Sequence, residues 1–199
     1  MSEKADATAK HIEQSISDLE RQISWVTRAS SNTLELRRAD YAQLLNQVSA
    51  VNQLFQLNGD GREVLRVSRQ STTTGSNSDL ARDIRFTEAV ARGVSYAPAW
   101  FVDRTPYMSI SVAHSGFNAG VTVAEIDLSF LSDYLSDSQL GKAAFAYVVD
   151  GRGRVLASSS KGPDVGTDLS KLPQVAAAIA PGGDLRQLRQ IRADVRTLG

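Results

Sequence analysis

Apolar residues recur at Ile12, Ile16, Leu19, Ile23 and Val26, in steps of four, three, four and three. They lie in a stretch, residues 6 to 47, that contains no Gly and no Pro. That spacing predicts a long amphipathic helix with a heptad seam, flanked by Glu, Gln, Arg and Ser on its other faces. The seam lapses at "RASSNT" and returns as Tyr41, Leu44, Leu45 and Val48, so the helix is expected to break or restart near Ser30 to Asn32. Such a stripe packs either on its own domain or on a second copy of the chain. The first seam has little apolar sequence nearby to cover it, which favours a homodimer through this helix.

The pattern then changes from a helical period to strands. Leu54, Phe55 and Leu57 precede "NGDG", and Val64, Leu65 and Val67 follow it. Asn-Gly and Asp-Gly supply the positive φ that tight hairpin turns need. About ninety residues later the chain repeats the arrangement: Phe145, Tyr147, Val148 and Val149, then "DGRGR", then Val155 and Leu156. Between the hairpins, "SRQSTTTGSNSD" reads as an exposed polar loop. "DLARDIRFTEAVARG" reads as a helix with Gly93 as its C-cap. "VSYAPAWFV", "PYMSISVAH" and "AGVTVAEIDLSF" read as three strands of an antiparallel meander, and "LSFLSDYLSDSQLG" as a helix leaving it.

The fold class that emerges is α+β. A long N-terminal helix (residues 1–47) precedes a five-stranded antiparallel lobe (48–139). A second, incomplete lobe (140–181) opens with the repeated hairpin, and an arginine-bearing tail (182–199) closes the chain. In that tail Leu185, Leu188, Ile191, Val195 and Leu198 stand at helical spacing behind Asp184, so the tail is expected to be helical.

Composition narrows the function classes. The 199 residues carry 22 basic and 22 acidic side chains and are 42% apolar, an ordinary balance for a globular chain. Zero formal net charge gives no reason to expect nucleic acid as a partner. The absence of cysteine removes disulfides, thiolate metal sites and a cysteine nucleophile together. Two histidines, His11 and His114, far apart in the chain, do not make a metal site. No apolar run is long enough to cross a membrane, so any membrane contact is expected through flanking segments.

Enzyme motifs fail one by one: there is no phosphate-binding G-x-x-x-x-G-K-[ST], no H-E-x-x-H and no G-x-S-x-G. Ser158 and Lys161 satisfy S-x-x-K in a polar loop without any supporting motif. "NGDGRE" lacks the further acids of a calcium loop. No catalytic residue and no cofactor is expected. The residues point instead to a binding pocket: Tyr96, Trp100 and Tyr107 supply aromatic walls, Asp127 a carboxylate, and Arg82 and Arg85 on the preceding helix supply guanidiniums. That set suits a small polar organic ligand, with an arginine clamping a carboxylate.

The order of long helix, "VNQLFQLNGDGREVLRVSR", "RFTEAVARG", "YAPAWF", "PYMSISVA" and "AGVTVAEIDLSFL" resembles the double Cache sensor domain of bacterial receptors, as does the second "FAYVVDGRGRVLASS" with "GTDLSKLP". The resemblance spans residues 10 to 180. It implies two PAS-like lobes on a rising helix, the first of them binding ligand, in an extracytoplasmic sensor that is itself non-catalytic. It further implies that Asp127 in "IDLSF" matches a strand-edge aspartate of amino-acid-binding members. Arg85-Phe86 matches only part of their Arg-x-Trp-Tyr block, so an organic acid or an amino-acid-like metabolite is expected as ligand. A histidine kinase is the expected output. The alternatives are a nucleotide or diguanylate cyclase receptor and, from another class, a cytoplasmic helix-mediated interaction protein.

Overall fold

The computed structural model describes residues 2–28, 33–69, 72–116, 119–137, 144–180 and 192–197. The chain divides into two compact units that interleave along the sequence. One, called here the first lobe, comprises Asp18–Ala97 and Met108–Asp127. The other, the second lobe, comprises Met1–Ser17, Pro98–Tyr107 and Leu128–Gly199.

Two helices replace the single long one: α1 (Ser2–Arg28) and α2 (Leu34–Gln47). The expected break is real, because Thr33 takes an extended conformation and its side chain accepts from Leu36 N, an N-cap for α2. Arg37 seals the other side of the break. Its buried guanidinium donates from Nη1 to the carbonyls of Val26 (3.0 Å) and Thr27 (2.6 Å) in the last turn of α1. The heptad seam is covered within the single chain: Ile12, Ile16 and Ile23 are fully buried, and Leu19 and Val26 nearly so. Trp25, 70% exposed, lies off that seam.

The sheet of the first lobe runs β3 (Thr72–Thr74), β2 (Glu63–Ser68), β1 (Val51–Asn58), β7 (Gly120–Asp127), β6 (Thr105–His114), β4 (Val94–Tyr96). Without the short edge strand β3 and the short strand Trp100–Val102 that also pairs with β6, the five remaining strands have the order 2-1-5-4-3 in chain sequence, the five-stranded antiparallel arrangement expected of a PAS-like lobe. Two local readings differ. The loop "SRQSTTTGSNSD" contributes β3, which pairs antiparallel with β2. The run "VSYAPAWFV" is two strands, β4 and β5 (Trp100–Val102), because Ala97-Pro98-Ala99 interrupts it and proline removes a ladder donor. Helix α3 (Ile84–Arg92) starts at its N-cap Asp83 and ends at Gly93, φ 83°. It covers a core of Phe55, Leu57, Val121 and Val123 through Ala89 and Phe86, and Leu80 of the segment before the helix packs on the same core.

In the second lobe, α4 (Phe130–Asp137) is followed by β8 (Ala144–Val149), β9 (Val155–Ser158), α5 (Pro173–Ile179) and β10 (Arg192–Thr197). His11 of α1 stacks on Tyr134 of α4, with ring centroids 4.4 Å apart. The tail corrects the helical expectation over residues 192–197. These form an antiparallel strand along β8, giving a three-stranded sheet in the order β10-β8-β9. An open strand edge offers a ladder of backbone partners, and that outweighs a short apolar spacing that also fits a helix. Residues 182–191 and 198–199 of the tail, Asp184 included, lie outside the described residues. No helix among the described residues is long and apolar enough to cross a membrane.

Candidate functional site

The two hairpins are the same structure in detail, and their comparison separates what the fold needs from what it does not. In the first, the Asn58 side-chain oxygen accepts from the N–H of Asp60 (3.1 Å) and Arg62 (2.9 Å). In the second, Asp150 Oδ1 accepts from Arg152 and Arg154, both at 2.9 Å. Gly61 and Gly153 take φ 77° and 81°. Their carbonyls accept from Leu80 and Leu169, each at 2.8 Å. Asp79 and Asp168 each turn the chain there, accepting from the N–H two residues on. A register shift falls at Gln56/Leu57 in one ladder and at Val148/Val149 in the other. Leu80 and Leu169 then pack on their own cores, four residues before α3 and α5 begin.

These matched registers align Phe55 with Tyr147, Leu57 with Val149, Glu63 with Val155, Arg66 with Ser158, Gln53 with Phe145, Asp83 with Leu172 and Arg85 with Gln174. In the second lobe the positions of Gln53, Glu63 and Asp83 are apolar. Val155 is fully buried in a cluster with Tyr147, Val149 and Val175. In the first lobe the same positions build a polar network on the ring of Phe55. Arg66 lies over that ring at 4.4 Å and Arg85 at 5.3 Å. Arg66 pairs with Glu63 through both Nε and Nη2 and donates to Gln53 Oε1 at 3.0 Å. Arg85 pairs bidentately with Asp83 (2.9 and 2.8 Å) and reaches Glu125 at 3.4 Å. Gln53 donates in turn to Glu125.

The electrostatics follow from these contacts. Burial works against the charge on Glu63, but the hydrogen bonds from Arg66 and from the Ser76 N–H outweigh it and hold the carboxyl below its ordinary range. Asp83 is likewise held low, by its hydrogen bonds to the Arg85 side chain and backbone. The Arg85 guanidinium is held further into its charged form by Asp83. Its side chain and that of Asp83 are each 23% exposed, so solvent reaches both. Two guanidiniums over an aromatic floor, at the edge of water and ringed by exchangeable acceptors, are suited to receiving an anionic group from solution.

The six residues singled out in the sequence divide between the lobes. Trp100 and Tyr107 belong to the second lobe and are brought together across the β5–β6 pairing, their rings stacked at 6.0 Å. Arg82, Arg85, Tyr96 and Asp127 belong to the first. Arg82 is exposed in the turn before α3 rather than on the helix. Tyr96 is half-buried and donates to Glu20 of α1; burial and that carboxylate raise its phenol pKa. Asp127 ends β7, its N–H bonded to the Ala50 carbonyl at 2.9 Å. Gln53, Glu63, Arg66, Asp83 and Glu125 escaped the sequence reading. Glu63 stands three places before Arg66, opposite faces in a regular strand, and the bulge lets the two meet. Aligning the two hairpins residue by residue beyond their turns exposes these positions.

No protein-family model matches the chain, and no curated protein sequence matches it. Solved structures do. The ligand-binding domain of the Pseudomonas aeruginosa amino acid chemoreceptor PctC, in complex with GABA, matches with a TM-score of 0.63 at 15% identity, over 85% of this chain and 78% of that one. The corresponding domain of PctB from the same organism, in complex with L-Gln, gives 0.62 at 19% identity, over 85% and 71%. The sensory domain of the Campylobacter jejuni chemoreceptor Tlp3 gives 0.64 at 14% identity, over 78% and 69%. The fold is that of Cache-type sensory domains of bacterial chemoreceptors, as the resemblance in the sequence implied.

Proposed function

We propose that this chain is the ligand-sensing module of a bacterial transmembrane receptor, and that its first lobe binds a small organic acid or amino-acid-like metabolite beside Phe55, between β1, β2, β7 and α3. The observation that carries this reading is internal to the chain. The second lobe repeats the hairpin, its bulge and its helix start with Val155, Ser158, Leu172 and Gln174 where the first has Glu63, Arg66, Asp83 and Arg85. The fold does not require the network, and buried or half-buried ion pairs stabilise little over apolar packing. In this reading Arg85 and Arg66 exchange their present carboxylate partners for the ligand's carboxylate, while Glu125 and Asp127 receive a hydroxyl or ammonium. Arg82 and Tyr96 of the same lobe are proposed as further contributors from the sequence pattern, whereas Trp100 and Tyr107 stand in the second lobe. The neighbours solved with GABA and L-Gln show that this fold accommodates such ligands in those proteins.

The test is a thermal-shift and calorimetric screen of amino acids and short organic acids against the wild type and Arg85→Ala. A ligand that stabilises the wild type and not the variant supports the site; equal stabilisation of both, or no hit at millimolar concentration, refutes it. The output in this reading is a histidine kinase with the sensor outside the cytoplasm, dimerised through the Trp25-bearing face of α1. Ligand-dependent autophosphorylation of the intact receptor is the expected result, and ligand-dependent nucleotide cyclisation would favour a cyclase instead.

A further inference from the structure

The second lobe lacks the Phe55-type network, yet its hairpin carries charged chemistry of its own. Asn58 shows that a neutral amide suffices to hold the turn. Asp150 does the same work with one oxygen and uses the other, Oδ2, to bind Arg154 Nε (2.9 Å) and Nη2 (2.7 Å). Nη2 also donates to the Ala99 carbonyl at 2.6 Å, and the guanidinium lies 4.9 Å from the centre of the Phe101 ring. Arg62, the matching residue of the first hairpin, is exposed. Arg154 is thus fixed on three sides, with Nη1 left over among the described residues, beside a cavity of about 480 Å³ within the same lobe. Phe101 and Val165 form its apolar wall, and Arg104 and Asp164 its remaining charges.

Arg104 supplies a second, independent observation. Val102 and Thr105 pair across a two-residue turn in which Asp103 and Arg104 both take positive φ, 46° and 70°. Turns of this kind prefer glycine at the second place, and an ordinary side chain there costs about 1 kcal/mol. An arginine held in a strained backbone at the mouth of a cavity is the pattern of a functional site. Among the described residues neither Arg104 nor Asp164 has an ion-pair partner.

We infer that this cavity is a second ligand site, in the lobe without the Phe55 network, for a small carboxylate that also carries an ammonium or hydroxyl group. The carboxylate sits on Arg104 and Arg154 Nη1. Asp164 accepts from the donor group and disfavours a second negative charge, while Phe101 and Val165 cover the carbon frame. The cavity leaves room for a carbon frame longer than that of glycine.

The experiment uses the full chain carrying Arg85→Ala, which isolates the second site from the first. Glycine, L-serine and glycolate are titrated as probes, with propionate and succinate as comparators. Expected are one binding event for the probes, weaker binding of both comparators, and a loss of about tenfold or more on adding Arg104→Gly. That substitution suits the positive φ, so the thermal midpoint is expected to hold or rise while binding falls; a merely structural arginine would not separate the two. Asp164→Asn should erase the preference for glycine over propionate. The inference is overturned if no probe binds the Arg85→Ala chain at millimolar concentration, or if Arg104→Gly binds the probes as tightly as its parent. Failure of the first-lobe reading looks different: the wild type and Arg85→Ala would then bind alike, with both sensitive to Arg104→Gly.

Discussion

Converting the first lobe's network into the second lobe's residues tests the central argument. The Glu63 side chain is 1% exposed and that of Arg66 is 31% exposed. Removing Arg66 alone, as Arg66→Ser, leaves a buried carboxylate still held by Ser76, through its N–H at 3.2 Å and its side chain, but with no guanidinium against it. Stranding a charge in this way costs about 3 kcal/mol at neutral pH, less where the group takes up a proton instead. Removing Glu63 alone, as Glu63→Val, leaves Arg66 free to reach solvent and to keep its place over Phe55, a loss of about 1 kcal/mol. The double variant reproduces the Val155/Ser158 pair and should lie within about 1 kcal/mol of the wild type. The coupling between the two sites is then about 3–5 kcal/mol. Chemical denaturation followed by tryptophan fluorescence and circular dichroism reads all four proteins, provided the slope is unchanged.

The pH arm carries its own sign. In the wild type Glu63 lies below its unfolded value, so its contribution is present above about pH 4.3 and fades as the pH falls through the folded value. In Arg66→Ser the folded value is raised, so stability is greatest below about pH 4.3 and falls as pH rises through it. The deficit of Arg66→Ser should therefore shrink between pH 7 and pH 5. A constant deficit, or a double variant as unstable as Arg66→Ser, would refute the reasoning.

The matched turns predict matched costs: Gly61→Ala and Gly153→Ala each force a side chain into positive φ and against backbone, with Ala81 Cα at 2.5 Å and Ser170 Cα at 2.8 Å. Each should cost about 2–4 kcal/mol, read as loss of amide-exchange protection in its own lobe. Tyr41, fully buried with its phenol pKa pushed up to about 12 by burial, shares a 2.6 Å hydrogen bond with Thr122. Tyr41→Phe strands the Thr122 hydroxyl and should lower stability by about 1–2 kcal/mol in a denaturant titration. The His114 imidazole is pushed down to about 4 by burial and by Arg37. The folded state then binds fewer protons than the unfolded, so stability falls as pH drops from about 6.5 toward 4. Because the ring is half-exposed, about 1–2 kcal/mol is expected rather than the full shift. His114→Gln should flatten melting temperature across that range.

Features set by local chemistry were legible in the sequence. Positive-φ turn residues announced both hairpins, Gly93 announced the end of α3, and the lapse of the seam announced the break before Thr33. Tertiary decisions were not. The four-three spacing of Ile12 to Val26 specifies an apolar stripe but not what covers it, and here the chain covers it itself. Residues 192–197 satisfy a helical spacing, yet the edge of β8 takes them as a strand. The candidate site was half legible. Arg85 and Asp127 stood out by type, whereas Glu63 and Arg66 meet only because a bulge shifts the register between β1 and β2. Trp100 and Tyr107 do stack, but on the lobe that holds the Arg104 cavity.

The central place of β1 has a consequence for how the chain is made. β1 is hydrogen-bonded to β2 on one side and to β7 on the other. The hairpin can form within microseconds of synthesis, but its second neighbour ends at Asp127. At ribosomal speed, roughly 3–12 seconds separate completion of β2 from delivery of β7. Throughout that interval Leu54, Phe55 and Leu57 lie on a strand whose backbone edge is bare, and they are among the most buried residues of the finished lobe. β8 waits in the same way for β10. Nascent-chain handling therefore guards this protein as much as its final stability does, and substitutions along these waiting edges will show first in yield.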